Sequence, residues 1–200
     1  EKCDLANKEH INSVIKKYKP DIVVNLAAQA GVRYSIDYPH EYIRSNILGF
    51  SNLIDACKEN KVNNFIYASS SSVYGGNLKM PFNEDDKVDQ PLSLYAASKK
   101  SNELIAHSYS HIYGIPCTGL RLFTVYGPWG RPDMAPMIFT KAIINGDPID
   151  VFNNGNMKRD FTYIDDVIDG IIECCKKPPL PNKKSPHLES YSSSAPYRVF

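Results

Sequence analysis

No apolar run in this sequence approaches the ~20 residues that a helix needs to cross a bilayer. The opening EKCDLANKEH is not a signal peptide, because charges stand where a leader has its apolar core. An excess of either charge is also missing. The net charge is +1, with Lys and Arg spread along the chain, which leaves no electrostatic footprint for nucleic acid. Cysteine is scarce: Cys3, Cys57, Cys117, Cys174 and Cys175 are five in number and include no C-x-x-C pair. That argues against a disulfide framework and for a reduced, cytoplasmic setting. His40, His107, His111 and the adjacent Cys174-Cys175 lack ligand spacing, so no metal is expected. No internal repeat is visible. What remains, 42% hydrophobic and 22% charged residues, is ordinary for a soluble globular chain with one sizeable core.

The patterning alternates between two periods. Residues 21–28, 64–70 and 116–123 are short runs of β-branched or large apolar residues, the signature of strands buried on both faces. Longer amphipathic stretches over 8–18, 41–60 and 95–113 read as helices. That alternation predicts an α/β fold, a doubly wound parallel sheet with right-handed crossovers and helices on both sides. Beyond Tyr126 the pattern predicts a helix over 134–146, strand-like pieces at 149–153 and 160–163, and a helix over 164–177. The tail from Lys176, rich in Pro, Ser and Lys, reads as loop and ends on a strand-like Tyr-Arg-Val-Phe.

In open parallel sheets, ligands sit outside the carboxyl ends of the strands. Leu26-Ala27-Ala28, the four hydroxyls Ser69 to Ser72, and Phe123-Thr124 all fall at such ends and are expected to line one crevice. Taken alone, Ala27 and Ala28 read as packing for a following helix, and the serines read as a polar loop or local backbone caps. Ser93-Leu-Tyr95-Ala-Ala-Ser-Lys99 then opens a helical stretch with Tyr95 and Lys99 at i and i+4, on one face. An ammonium beside a phenol favours its ionised form and makes a tyrosine base usable near neutrality. Following a serine-rich strand end, the pair points to a Ser-Tyr-Lys proton-handling site.

The motifs N-L-A-A-Q-A-G-V-R (25–33), A-S-S-S-S-V-Y-G (68–75), Y-A-A-S-K (95–99), L-R-L-F-T-V-Y-G-P (120–128) and R-D-F-T-Y-I-D-D-V (159–167) follow one another along the chain. In this order they resemble the extended short-chain dehydrogenase/reductases, in particular the NAD-dependent nucleotide-sugar epimerases and dehydratases. The A-G-V-R stretch and G-P-W-G-R-P-D-M-A-P (127–136) are most similar to UDP-glucuronate 4-epimerases. The resemblance implies a partial Rossmann-like, NAD-binding domain over 1–125. A smaller, incomplete nucleotide-sugar-binding region over 126–200 is implied as well, with helix 164–177 packing back on the first domain. The family's opening Gly-rich turn, which holds the pyrophosphate on a helix N-terminus, is missing. The 200 residues therefore read as an internal fragment, expected to bind NAD poorly alone.

The resemblance also implies roles. Asp4 and Leu5 would touch adenine, and Leu26, Ala27, Ala28 and Gln29 would line the pyrophosphate and ribose. Asn46 would support the floor of the site, and Phe123 would border the cofactor. Tyr95 and Lys99 would hold the nicotinamide ribose, with Tyr95 as base, and Ser70 would hydrogen-bond the sugar's 4-oxygen. Relatives that dehydrate or decarboxylate carry acids just after that hydroxyl, where this chain has Ser71 and Ser72. Hydroxyls can grip a uronate carboxylate through charge-assisted bonds, so Ser71, Ser72 and Thr124, helped by Arg33, are its expected partners. Phe152 would stack on uracil, and Arg131 and Arg159 would offer planar forks to phosphate oxygens. The implied reaction is C4 epimerisation of UDP-glucuronate to UDP-galacturonate, in a homodimer paired through the helices at 41–60 and 95–113. Another nucleotide-sugar epimerisation, a 4,6-dehydration and a non-catalytic module are the alternatives.

Overall fold

The computed structural model describes residues 1–181 and 193–200. Residues Glu1–Leu122 with Glu173–Phe200 form one compact unit, and Phe123–Ile172 form a second. In chain order the elements are α1 (Lys8–Tyr18), β1 (Ile22–Asn25), α2 (Tyr34–Asp37), α3 (Pro39–Tyr42), a π-helical segment (Ile43–Leu48) and α4 (Gly49–Glu59). Next come β2 (Asn64–Ala68), a 3-10 turn (Ser71–Tyr74), α5 (Leu94–Tyr113), β3 (Cys117–Leu120), β4 (Thr124–Tyr126) and α6 (Ala135–Asn145). A second 3-10 turn (Phe152–Gly155), β5 (Phe161–Tyr163), α7 (Ile164–Lys176) and β6 (Tyr197–Val199) complete the described chain.

The first unit holds a sheet of order β1-β2-β3-β6, and every pair in it is parallel. Its core lies on one face, where Phe65 and Tyr67 of β2, Cys117 of β3 and Tyr197 and Val199 of β6 meet Ile11 and Ile15 of α1, Phe50, Leu53 and Ile54 of α4, and Ala106 of α5. Burying a ring such as Phe65, which has no exposed surface, contributes about 1.5–3 kcal/mol. Helices α1 and α5 start at side chains that cap them. Asn7 Oδ1 accepts from His10 N–H at 3.0 Å, and Ser93 Oγ accepts from Ala96 N–H at 3.1 Å, each satisfying an orphan donor. On the opposite face Asn64 donates from Nδ2 to the carbonyls of Cys174 and Cys175 at 2.9 and 3.3 Å.

Three expectations change. Residues 21–28 do not form a strand buried on both faces: among the described residues β1 stands at the edge of the sheet, and Ile22 and Val24 are exposed while Asn25 is buried. The helix expected over 41–60 contains the π segment, a widened turn of the kind that collects at functional sites. No strand forms at 149–153. Asn153 and Asn154 take φ of 50° and 51°, the left-handed region that Asn tolerates, and the chain turns instead. Most of the tail read as loop, residues 182–192, lies outside the described residues; β6 follows it and joins the main sheet. In the second unit β4 and β5 pair in parallel.

Gly119 is a tight point of the core. A Cβ there would stand 2.6 Å from Tyr67 Oη and 2.7 Å from its Cζ. Tyr67 is fully buried and its hydroxyl shares a hydrogen bond of 3.0 Å with that of Tyr197, so the ring has nowhere to retreat. Gly119→Ala is expected to cost about 1–3 kcal/mol by overpacking, read by chemical denaturation. An unchanged midpoint would show that the ring moves freely.

Candidate active site

Helix α5 brings the sequence-predicted lysine to the serine-bearing strand end. Lys99 Nζ donates to the carbonyl of Ala68, the last residue of β2, at 2.9 Å. The residue is 5% exposed, and burial lowers its pKa to about 8. Tyr95 sits one helical turn before it, half-buried, with its ring edge-on to that of Tyr42 at 6.1 Å between centroids. The buried Tyr42 hydroxyl in turn shares its one proton between the carbonyls of Ala30 and Gly31, which holds the loop after β1 against the same helix.

Asn46 fastens the floor. Its Oδ1 accepts from Gln29 N–H at 2.7 Å, and its Nδ2 donates to Gln29 O and to Ser98 Oγ, both at 3.0 Å. Ser98 Oγ–H passes to the Tyr95 carbonyl at 2.8 Å, and Asn102 Nδ2 donates to the Asn46 carbonyl at 2.6 Å. The π segment thus presents one buried residue to the β1 loop through its side chain and to α5 through both its ends. The β1 and β2 ends are connected through α5.

The four serines part company. Ser69 is buried and turns away from the edge, its hydroxyl donating to Glu103 Oε1 at 2.7 Å. Ser70 Oγ accepts from Ser72 N–H at 3.2 Å as the cap of the 3-10 turn. The local-cap reading therefore holds for Ser70, but it occupies one lone pair only and leaves the hydroxyl proton to donate. Among the described residues the Ser71 and Ser72 hydroxyls have no hydrogen-bond partner, and both residues are half-buried. Gly75 closes the turn at φ 54°, where a Cβ would lie 2.0 Å from the Gln90 carbonyl oxygen, so only glycine fits.

The other predicted positions are more dispersed. Asp4 pairs with Arg44 and accepts from Ala6 N–H at 2.9 Å; the backbone bond first, then Arg44, holds its carboxyl below the usual range. The Leu5 carbonyl accepts from Asn52 Nδ2 at 3.0 Å. Leu26, Ala27 and Arg33 are exposed, while Ala28 and Gln29 are half-buried. In the second unit Phe123 precedes β4, Thr124 opens it, and both are half-buried. Arg131 Nε donates to Asp133 Oδ1 at 3.0 Å and borders a hollow of about 200 Å³ with Val125, Tyr126, Met134 and Met137. Phe152 is exposed in its 3-10 turn, and Arg159 is exposed with Nη1 donating to the Lys158 carbonyl at 2.8 Å.

Sequence reasoning missed Glu103, Ser98 and Asn102. Glu103 was within reach, because it follows Lys99 by the same four-residue step that separates Lys99 from Tyr95. For the others no local signal existed; a buried asparagine that serves a π turn looks like any helical asparagine. Among the described residues no group of three His, Cys, Asp or Glu side chains could hold a metal ion, and no helix is long and apolar enough to cross a membrane.

The chain belongs to the NAD dependent epimerase/dehydratase family, whose profile matches residues 1–184. Among curated proteins it is 57% identical to Protein CapI of Staphylococcus aureus, over 100% of this chain and 60% of that protein. It is 46% identical to the probable UDP-glucuronate 4-epimerase of Rhizobium meliloti, over 98% of this chain and 58% of that one. Of the solved structures, the UDP-glucuronic acid 4-epimerase of Bacillus cereus in complex with UDP-glucuronic acid and NAD matches with a TM-score of 0.79 and 38% identity, over 88% of this chain and 55% of that one. The chain thus spans about three fifths of the length of these relatives. The match confirms the Rossmann-like parallel sheet with flanking helices.

The donor set on the first unit fits the family's dinucleotide. Lys99 keeps N–H donors beyond the one given to Ala68. Tyr95 stands one turn away, and Ala27 and Ala28 leave the backbone after β1 approachable.

Lys99 also gives the fold a pH signature. Its folded pKa of about 8 lies below the unfolded value near 10.4, so between those pH values the unfolded chain binds more protons. Stability therefore rises with pH through that window and is flat below it. Relative to Lys99→Met, the native protein is expected to gain roughly 3 kcal/mol between about pH 8 and pH 10.5. Denaturation of both proteins across that range checks it, and parallel curves would contradict the burial of the charge.

Proposed function

We propose that the protein is an NAD-dependent C4 epimerase of UDP-sugars, with UDP-glucuronate and UDP-galacturonate as its substrate pair. The observation that carries the reading is the Lys99 bond to Ala68, which seats the Tyr-x-x-x-Lys helix on a strand end that continues into Ser70, Ser71 and Ser72. The similarity to the Rhizobium and Bacillus UDP-glucuronate 4-epimerases supports the uronate.

In this scheme Tyr95 removes the proton from the sugar's 4-hydroxyl, and the neighbouring Lys99 ammonium favours the ionised phenol. Ser70 donates its hydroxyl proton to the 4-oxygen. Lys99 and Tyr95 hold ribose hydroxyls of the cofactor, and Leu26, Ala27, Ala28 and Gln29 line its pyrophosphate side, with Asp4 and Leu5 at the adenine. NAD, when bound, supplies a reversible hydride acceptor at C4. The resulting 4-keto sugar turns about its link to the diphosphate, and Tyr95 returns the proton to the oxygen once the other face is presented.

A 4-keto uronate is a β-keto acid, ready to lose carbon dioxide if its carboxylate turns perpendicular to the carbonyl. Ser71 and Ser72, with unpartnered hydroxyls, hold it out of that orientation by charge-assisted bonds, helped by Thr124 and Arg33. Phe152, Arg131 and Arg159 of the second unit serve the uridine diphosphate; Arg131 exchanges Asp133 for phosphate to do so. A homodimer through the helices at 41–60 and 95–113 belongs to the same reading, supported by the exposed Leu48 and Leu104, and the mass in solution checks it.

The test is to feed the intact protein UDP-glucuronate and UDP-glucose side by side. Turnover of the uronate is expected; turnover of the neutral sugar alone defeats the substrate assignment. Ser71→Asp is expected to raise KM for the uronate about tenfold or more, the worth of a lost charged hydrogen bond, or to release decarboxylated product. Unchanged kinetics and product would remove the grip.

A further inference from the structure

Ser70 is bracketed by groups tied to a single buried ion pair. On the strand side Ser69 donates to Glu103 Oε1 at 2.7 Å. Arg121 grips the same carboxylate with two parallel bonds, Nε to Oε1 at 2.9 Å and Nη2 to Oε2 at 3.1 Å. On the turn side the Arg121 guanidinium lies over the Tyr74 ring, 5.0 Å from its centroid, and Tyr74 ends the 3-10 turn that Ser70 caps. The carbonyl of Leu122, next to Arg121 in the chain, accepts from Ser71 N–H at 3.0 Å. Arg121 Nη1 also donates to the Glu84 carbonyl at 3.2 Å, and Lys100 Nζ reaches Glu103 Oε2 at 3.3 Å.

The two side chains are 2% and 3% exposed. Burial pushes the Glu103 carboxyl up, but bonds from Arg121 and Ser69 and the nearby Lys100 outweigh it and leave it below the usual range. An ion pair this deep is weak as a source of stability, because the cost of stripping water from both charges offsets their attraction. A two-point grip does fix an angle, and here it fixes the residues on each side of Ser70. The same helix face that carries Tyr95 and Lys99 carries Glu103 one turn further on.

We propose that Glu103 and Arg121 are a positioning pair that sets the Ser70 hydroxyl in register with Tyr95 and Lys99. The pair acts through Ser69 on one side and the Ser71–Tyr74 turn on the other. Its catalytic consequence rests on the role given to Ser70 above.

The test uses the intact, NAD-loaded protein with the double substitution Glu103→Leu/Arg121→Met, which removes both charges at similar volume, and with Ser69→Ala, which removes one hydroxyl. In the double variant the amides of Ser71 and Ser72 are expected to exchange hydrogen at least about tenfold faster, while those of Phe65, Ile66 and Tyr67 keep their protection. For whichever nucleotide sugar the native protein turns over, kcat falls about a hundredfold, the scale of an ångström misplacement, with KM within about twofold. Ser69→Ala gives the same pattern with about a tenfold loss, and it decides the matter if the double variant does not fold. Native protection at Ser71 and Ser72, or native kcat, overturns the proposal. Turnover of a different sugar by the native protein would instead count against the uronate reading, and exchange protection is read without turnover at all.

Discussion

Lys99 imposes the constraint around which the first unit is organised. An ammonium that deep needs a partner, and the one it finds is a backbone carbonyl at the end of β2, not a carboxylate. A carbonyl satisfies the hydrogen bond without cancelling the charge, which explains why burial drives the pKa down to about 8. The bond also fixes the depth and rotation of α5 against the sheet, and with them Tyr95 one turn before and Glu103 one turn after.

Two polar assemblies flank that bond and hold it in place. Asn46 links the loop after β1 to α5 through Gln29 and Ser98. Glu103 and Arg121 link the serine end of β2 to the chain after β3. Asn46, Ser98, Glu103 and Arg121 are all buried, where a half-satisfied group would be costly. Geometry at the strand ends is thus held by specific bonds rather than by the apolar core, which lies on the face lined by Phe65, Tyr67 and Tyr197.

Much of this was legible in the sequence. The helices of the first unit and the parallel order followed from periodicity, since amphipathic runs and continuous apolar runs differ in the burial they demand. Tyr95 and Lys99 were readable from their spacing taken together with the serine-rich strand end before them, and Asn46 from family resemblance. The failures have local causes. The exposed Ile22 and Val24 look like any buried β-branched pair, because their side chains are the same whether or not a further strand covers β1, which stands at the edge of the sheet among the described residues. The strand expected at 149–153 yields to Asn153-Asn154-Gly155, whose left-handed preference outweighs the apolar residues before it. Ser69 and Ser70 are neighbours of one type, both buried, with different partners: Ser69 turns to Glu103, while Ser70 caps the 3-10 turn that follows.

The most direct measurement is an NMR titration of the Lys99 side chain in the protein without added nucleotide. A midpoint near pH 8 is the predicted result, with the amine signal slowed in exchange by its bond to Ala68. A midpoint at the ordinary lysine value near 10.4 would place the ammonium in water. The convergence of helix, strand end and serine edge would then lose its anchor.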